Sequence, residues 1–250
     1  MANNIEKFKI CVVLVILLVT EQVNSQNSVS FNISDFYTRS SSIIVTGSAR
    51  ISRNGNLELS DPNDPTLLVG NGYYKTLVPI WNRTTGIVAS FTTKFSFVLE
   101  DIDPSIPAGG GLFFFIDRPN ANDTAAIRYV AVKFKEHDPG FVGIDVNTGI
   151  SLKTSKWKRV SQTLVDVIIG YDSVSKILTV AVTDSDGQFL TVSQVVDLKE
   201  VLPEIVRVGF SSSSSEPVNQ LHSIQSWSFT SNLKTNIFST TTSNNIRTYE

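Results

Sequence analysis

Cysteine is nearly absent: the only one in the 250-residue chain is Cys11. It falls in the uncharged apolar run Ile10 to Val19, which follows Lys7 and Lys9. A run of ten residues is too short to cross a bilayer, which takes about 20 in a helix. A basic start, a short apolar stretch and small residues at Val23 and Ser25 read as a secretory leader, cleaved after Ser25. Residues 26–250 then hold no cysteine and form no disulfide. A chain of this length buries a core without such staples.

Charge is balanced, with 21 Lys and Arg against 23 Asp and Glu, for a net charge of −2. Lys7, Lys9, Glu6 and Glu21 cancel, so loss of the leader leaves that balance unchanged. Nucleic-acid binding and attraction to an anionic membrane both need clustered Lys and Arg, and both are excluded as expectations. The chain has only two histidines, His137 and His222, from which no Ser-His-Asp set can be picked out. Asp101 and Asp103 are close in sequence, as a glycosidase pair would be. Pro104 follows at once, and a strand end with a solvated turn is the simpler account than two carboxyls facing across a cleft. The sequence reads as a non-enzyme.

No window carries a sustained helical stripe. The best, Val195 to Val201, is stopped by Pro203 and allows two turns at most. There is no internal repeat. Gly109-Gly110-Gly111 does not suit phosphate, because it leads into Leu112–Ile116, a strand, and not into a helix N-terminus.

What is present is a period of two. Ala89, Phe91, Phe95 and Phe97 fall on one face of a strand, while Ser90, Thr92, Lys94 and Ser96 fall on the other. Leu164–Tyr171 and Ile177–Val182 are rich in β-branched residues, and the segment Asp172–Lys176 between them suits a hairpin loop. Asn54-Gly55, Asp138-Pro139-Gly140 and Asp186-Gly187 supply further turns. Many short strands with regular turns predict an all-β sandwich or barrel over residues 26–233. Residues 234–250, rich in Thr, Ser and Asn, predict a loose tail. Sequons at Asn32, Asn82 and Asn122 are candidate N-glycosylation sites.

Three phrases, in order, carry a resemblance. They are Pro79–Phe91 (PIWNRTTGIVASF), Val142–Asn147 (VGIDVN), and Val208–Ser211 with Ser226–Phe229. They are similar to the legume lectin family and spread over nearly the whole chain after the leader. The resemblance implies a jelly-roll sandwich of a flat back sheet and a concave front sheet. It also implies a homodimer through the back sheet, and sugar held by loops above the front sheet over calcium and manganese.

Carried over residue by residue, the resemblance implies a changed site. The family's metal strand carries Glu and Asp two residues apart on one face. Here those positions are Lys133 and Lys135, and an ammonium has no lone pair for a metal. The family's metal-binding histidine aligns with Phe141. Asp138 alone matches a ligand position, with Glu136 and His137 as possible substitutes, and calcium wants six to eight oxygens. Gly109 stands where the family's sugar-binding Asp belongs. The carbohydrate-site positions given by the resemblance, degraded in this chain, are Gly109, Gly110, Ser213 and Glu216.

The sequence therefore predicts a secreted lectin-like protein without calcium or manganese, in an extracellular, vacuolar or symbiotic compartment. One reading is a lectin-like protein that has lost the metal-dependent monosaccharide site and acts in defence, storage or symbiosis, on glycans or a protein target. The other is a lectin with a metal-independent site that stacks sugar on Tyr73, Tyr74, Trp157 or Phe141.

Overall fold

A computed structural model describes residues 28–64, 66–103, 105, 110–119, 128–135, 140–214 and 218–233. The proposed leader and tail, Gly109, Asn122, Glu136, His137, Asp138 and Glu216 lie outside the described residues. The strands form two eight-stranded sheets, and every pairing between strands is antiparallel.

In the back sheet, β14 (Phe189–Val195), β13 (Ile177–Thr183), β12 (Leu164–Asp172) and β7 (Ser90–Asp101) lead to β16 (Gln220–Asn232). Next to β16 come β4 (Leu57–Glu58) and β3 (Arg50–Ile51), and β1 (Ser28–Ile33) also pairs with β16. The front sheet runs β11 (Ser151–Lys156), β10 (Phe141–Val146), β9 (Tyr129–Lys135), β8 (Gly110–Asp117) and β15 (Ile205–Ser214). It continues through β5 (Val69–Tyr74) to β2 (Ile43–Gly47), with β6 (Val78–Pro79) beside β15.

The expected alternation in β7 sets the core. Phe91, Phe95 and Phe97 are buried, while Ser90, Thr92 and Lys94 are exposed. Ser96 is the exception on the outer face: it is buried, and its hydroxyl lies 2.7 Å from that of Ser226. Inside, the two sheets meet through aromatic rings. Phe95 lies 5.8 Å from Phe114 and 4.9 Å from Phe210, Phe97 lies 5.3 Å from Phe134, and Trp227 lies 4.8 Å from Phe210, centroid to centroid. Offset and edge-on contacts at such distances add to the area each ring buries.

The window at Val195–Val201 gives one short helix, α1 (Leu198–Val201), capped by the Asp197 carboxylate accepting from the Lys199 N–H. The hairpin between β12 and β13 forms as the turn chemistry predicts, with Lys176 at a φ of 57°.

The sequon residue Asn32 is exposed on β1. In register it belongs to the row Asn32, Ser228, Lys94 and Ile168 on the outer face of the back sheet. Asn82 is half-buried, and its side-chain oxygen accepts from the Thr85 N–H at 2.9 Å in a tight turn.

Candidate functional site

Residues paired across antiparallel strands point to the same face of a sheet. On the outer face of the front sheet this rule sets out three rows. The first runs Ser213, Gly111, Lys135, Phe141 and Lys156. The second runs Asn71, Ser211, Phe113, Lys133, Gly143 and Thr154. The third runs Tyr73, Gly209, Phe115, Ala131, Asp145 and Ser151. Lys133, Lys135 and Phe141, the three positions that the resemblance places at the metal ligands, are neighbours.

Glycines give this face its depth. A Cβ on Gly143 would come within 2.5 Å of the Ser151 hydroxyl, and one on Gly209 within 2.5 Å of the Gly72 carbonyl. Gly110, the entry to β8, has a φ of +109°, and a Cβ there would meet the Ser213 carbonyl at 1.9 Å. Only glycine fits that combination of backbone angle and close approach. On this face lies a cavity of about 520 Å³ whose lining includes Phe113, Phe141, Lys133 and Lys135, with Gly110 and Ser213. Two of the four carbohydrate-site positions from the sequence, Gly110 and Ser213, therefore line one cavity; Gly109 and Glu216 lie outside the described residues.

Lys133 is engaged. Its ammonium lies 2.6 Å from Asp145 Oδ2 and donates to the Gly149 carbonyl at 2.5 Å. The Tyr129 hydroxyl donates to the same Asp145 oxygen at 2.9 Å, and the Thr148 hydroxyl to the other at 3.3 Å. Asp145 is fully buried. Burial pushes its carboxyl up, but the hydrogen bonds from Lys133 and Tyr129 and the charge of Lys133 outweigh that and hold it below the usual carboxylate range. The turn that supplies Gly149 is bent by Asn147, at a φ of 61°, whose side chain accepts the Tyr129 N–H at 2.7 Å.

The described residues of this arrangement do not suit a divalent cation. The two positions that would offer carboxylates offer ammonium groups, one of them already bound to the nearby Asp145. Among the described residues no group of three or more His, Cys, Asp or Glu could hold a metal ion.

The stacking candidates divide. Tyr73 lies under the Arg207 guanidinium, 4.9 Å from the ring centroid, and lines a second cavity of about 590 Å³. Phe141 lines the first. Tyr74 is stacked against Phe31 at 3.9 Å. Trp157 is corrected outright: it is buried among Phe97 and Phe134, and its indole N–H donates to the Thr183 carbonyl at 3.0 Å. The area of an indole and one satisfied N–H favour the interior.

Two aromatics went unnoticed, Phe113 and Phe115. They sit inside the unbroken apolar run Leu112–Ile116, where nothing polar marks which residues face out. The glycosidase candidates do not converge either. Asp101 is paired with Arg159, and Asp103 accepts from the Ser105 hydroxyl in a local turn.

Comparison with known proteins agrees with this architecture. A legume lectin domain matches residues 28–245. A putative bark agglutinin of Robinia pseudoacacia is 41% identical, over 94% of this chain and 93% of its own. A galactose-binding lectin of Arachis hypogaea is 40% identical, over 90% of this chain and 92% of its own. Among solved structures, the seed lectin of Lotus tetragonolobus superposes with a TM-score of 0.74 at 39% identity, covering 83% of this chain and all of the other.

Proposed function

Because the chain belongs to the legume lectin family, whose members bind carbohydrate and are not enzymes, we propose that it binds glycans without calcium or manganese. The observation that carries this reading is the Lys133–Asp145 ion pair, which occupies the floor where family carboxylates would face a metal. The cavity above it, walled by Phe113 and Phe141 with Lys135 at one end, supports a surviving site over a bare scaffold. Small-ligand sites are typically apolar hollows with a few placed polar groups. A glycan array probed with residues 26–250, with and without chelator, tests it. Binding that survives the chelator supports the proposal, and binding lost with it would defeat it. Silence in both lanes would favour the protein-target reading.

Thermal melting gives an independent check. A ligand that binds only the native state adds about 2.7 kcal/mol at 100 times its dissociation constant. Millimolar calcium or manganese is expected to leave the melting temperature unchanged.

Secretion and a role in defence, storage or symbiosis go with this reading, as does a homodimer through the back sheet. The dimer face would include Ile168, in the same row as Asn32. A glycan on Asn32 would stand over that row and oppose self-association. Asn32→Gln, expressed in a glycosylating host, is expected to raise the dimer fraction in sedimentation; an unchanged fraction would separate the glycan from assembly.

A further inference from the structure

We propose that the cavity between Phe113 and Phe141 selects acidic sugars, a pyranose ring bearing a carboxylate or sulfate, with Lys135 as the group that recognises the anion. This rests on the metal-independent reading above and names its ligand class.

The argument starts from what the walls offer. The polar side chains lining the cavity among the described residues are Lys133, Lys135, Ser151, Thr154 and Ser213: ammonium groups and hydroxyls, with no carboxylate. A neutral sugar presents many hydroxyl donors and is well held by a carboxylate, which only accepts. Here the nearby carboxylate, Asp145, is buried and already takes hydrogen bonds from Lys133, Tyr129 and Thr148. The described walls are thus richest in donors and positive charge, which favours a ligand that accepts and is negative.

Lys133 is held by Asp145 and Gly149, so the recognising charge is Lys135. It is exposed at the end of β9, with Phe141 directly across on β10. Lys156 is the next residue in that row and is exposed. Phe113 and Phe141 supply the apolar surfaces against which the C–H face of a pyranose ring can lie, and Thr154 and Ser213 can exchange hydrogen bonds with its hydroxyls.

The face extends the same way. Phe115 follows Phe113 by two residues on β8 and lines the second cavity, with Arg118, Arg128 and Arg207. The carboxylate on that wall, Asp117, accepts from Arg207 Nε at 3.0 Å and from its Nη2 at 2.6 Å. From Lys135 to Tyr129 along β9 the face runs about 20 Å at the usual strand rise. An oligomer of acidic sugars fits such a strip better than a single ring does.

The test is calorimetric titration of residues 26–250 in chelator with trigalacturonate and with its fully methyl-esterified, neutral counterpart. The acid is expected to bind at least tenfold more tightly than the ester, about 1.4 kcal/mol, and to weaken as salt rises, since exposed charges are screened. Lys135→Ala is expected to remove most of that preference, and Lys135→Glu to abolish it. Phe141→Ala should weaken the acid, while Lys94→Ala on the back sheet leaves it unchanged. A sulfated trisaccharide in a parallel titration reports whether any anionic group serves.

Equal affinity for acid and ester, or full preference retained in both Lys135 variants, overturns the proposal while leaving metal-free sugar binding intact. Binding that appears only when calcium replaces the chelator overturns the metal-free reading, and this one with it. No binding of any trisaccharide also overturns the acidic-sugar proposal.

Discussion

Lys133→Met is expected to destabilise the fold by about 3–5 kcal/mol at neutral pH, the usual cost of removing one partner of a buried ion pair. Asp145 has no solvent of its own, and without the ammonium it keeps the hydroxyls of Tyr129 and Thr148 and the Thr148 N–H, all uncharged donors. For a domain of this size each kcal/mol moves the melting temperature by about 2–4 °C, so the loss should be plain in a thermal or urea melt. Its pH dependence is the stronger check. In the parent protein Asp145 is held below its ordinary value, so its contribution is present above about pH 4 and fades as pH falls through the folded value. In the variant, burial without Lys133 pushes the carboxyl above its unfolded value. That penalty is absent at low pH and grows as pH rises through the shifted value. The two stability curves should converge toward acid and separate toward neutrality. A gap that is constant with pH would mean Lys133 acts by packing alone.

Trp227→Ala is expected to cost a similar 3–5 kcal/mol, as large aromatic truncations in a core do. The indole is fully buried, edge-on to Phe31 at 4.7 Å and to Phe210 at 4.8 Å, so its loss opens a gap between the sheets. It also leaves the Thr93 hydroxyl without the indole N–H it accepts at 3.0 Å, although that hydroxyl still donates to the Ser228 carbonyl. Trp227→Phe separates the two effects: it keeps most of the apolar area and should cost about 1 kcal/mol for the lost hydrogen bond alone, a typical net value. The measurement is the urea midpoint of each variant, with an unchanged slope showing that the same surface unfolds. A loss below about 1 kcal/mol for the alanine variant would mean the sheets close over the gap.

The fold was legible wherever polar and apolar residues alternate. In β7 the Ser, Thr and Lys residues between phenylalanines mark the outer face, and the buried positions follow. Alternation is silent in Leu112–Ile116, where every residue is apolar and only the partner strands decide that Phe113 and Phe115 face out. The lysines at 133 and 135 could be placed from the resemblance. The partner of Lys133 could not, since Asp145 lies on the next strand and reaches Lys133 only through the register that pairs Gly143 with it. Trp157, a stacking candidate in the sequence, is drawn inward by packing against Phe97 and Phe134.

β16 lies between β7 on one side and β1 and β4 on the other. It is the last described strand to be synthesised, yet it holds the middle of its sheet. While the ribosome is still making residues 220–232, β1 and β7 have no neighbour between them, and their inner aromatics lack Trp227 and Phe229. Pairings this distant in sequence form slowly, because a long loop must close before any contact rewards it. The protein therefore completes its back sheet only after residues 220–232 have been made. A chain cut short before Gln220 would lose the centre of the sheet, not its edge, and leave two bare strand margins ready to pair with other chains.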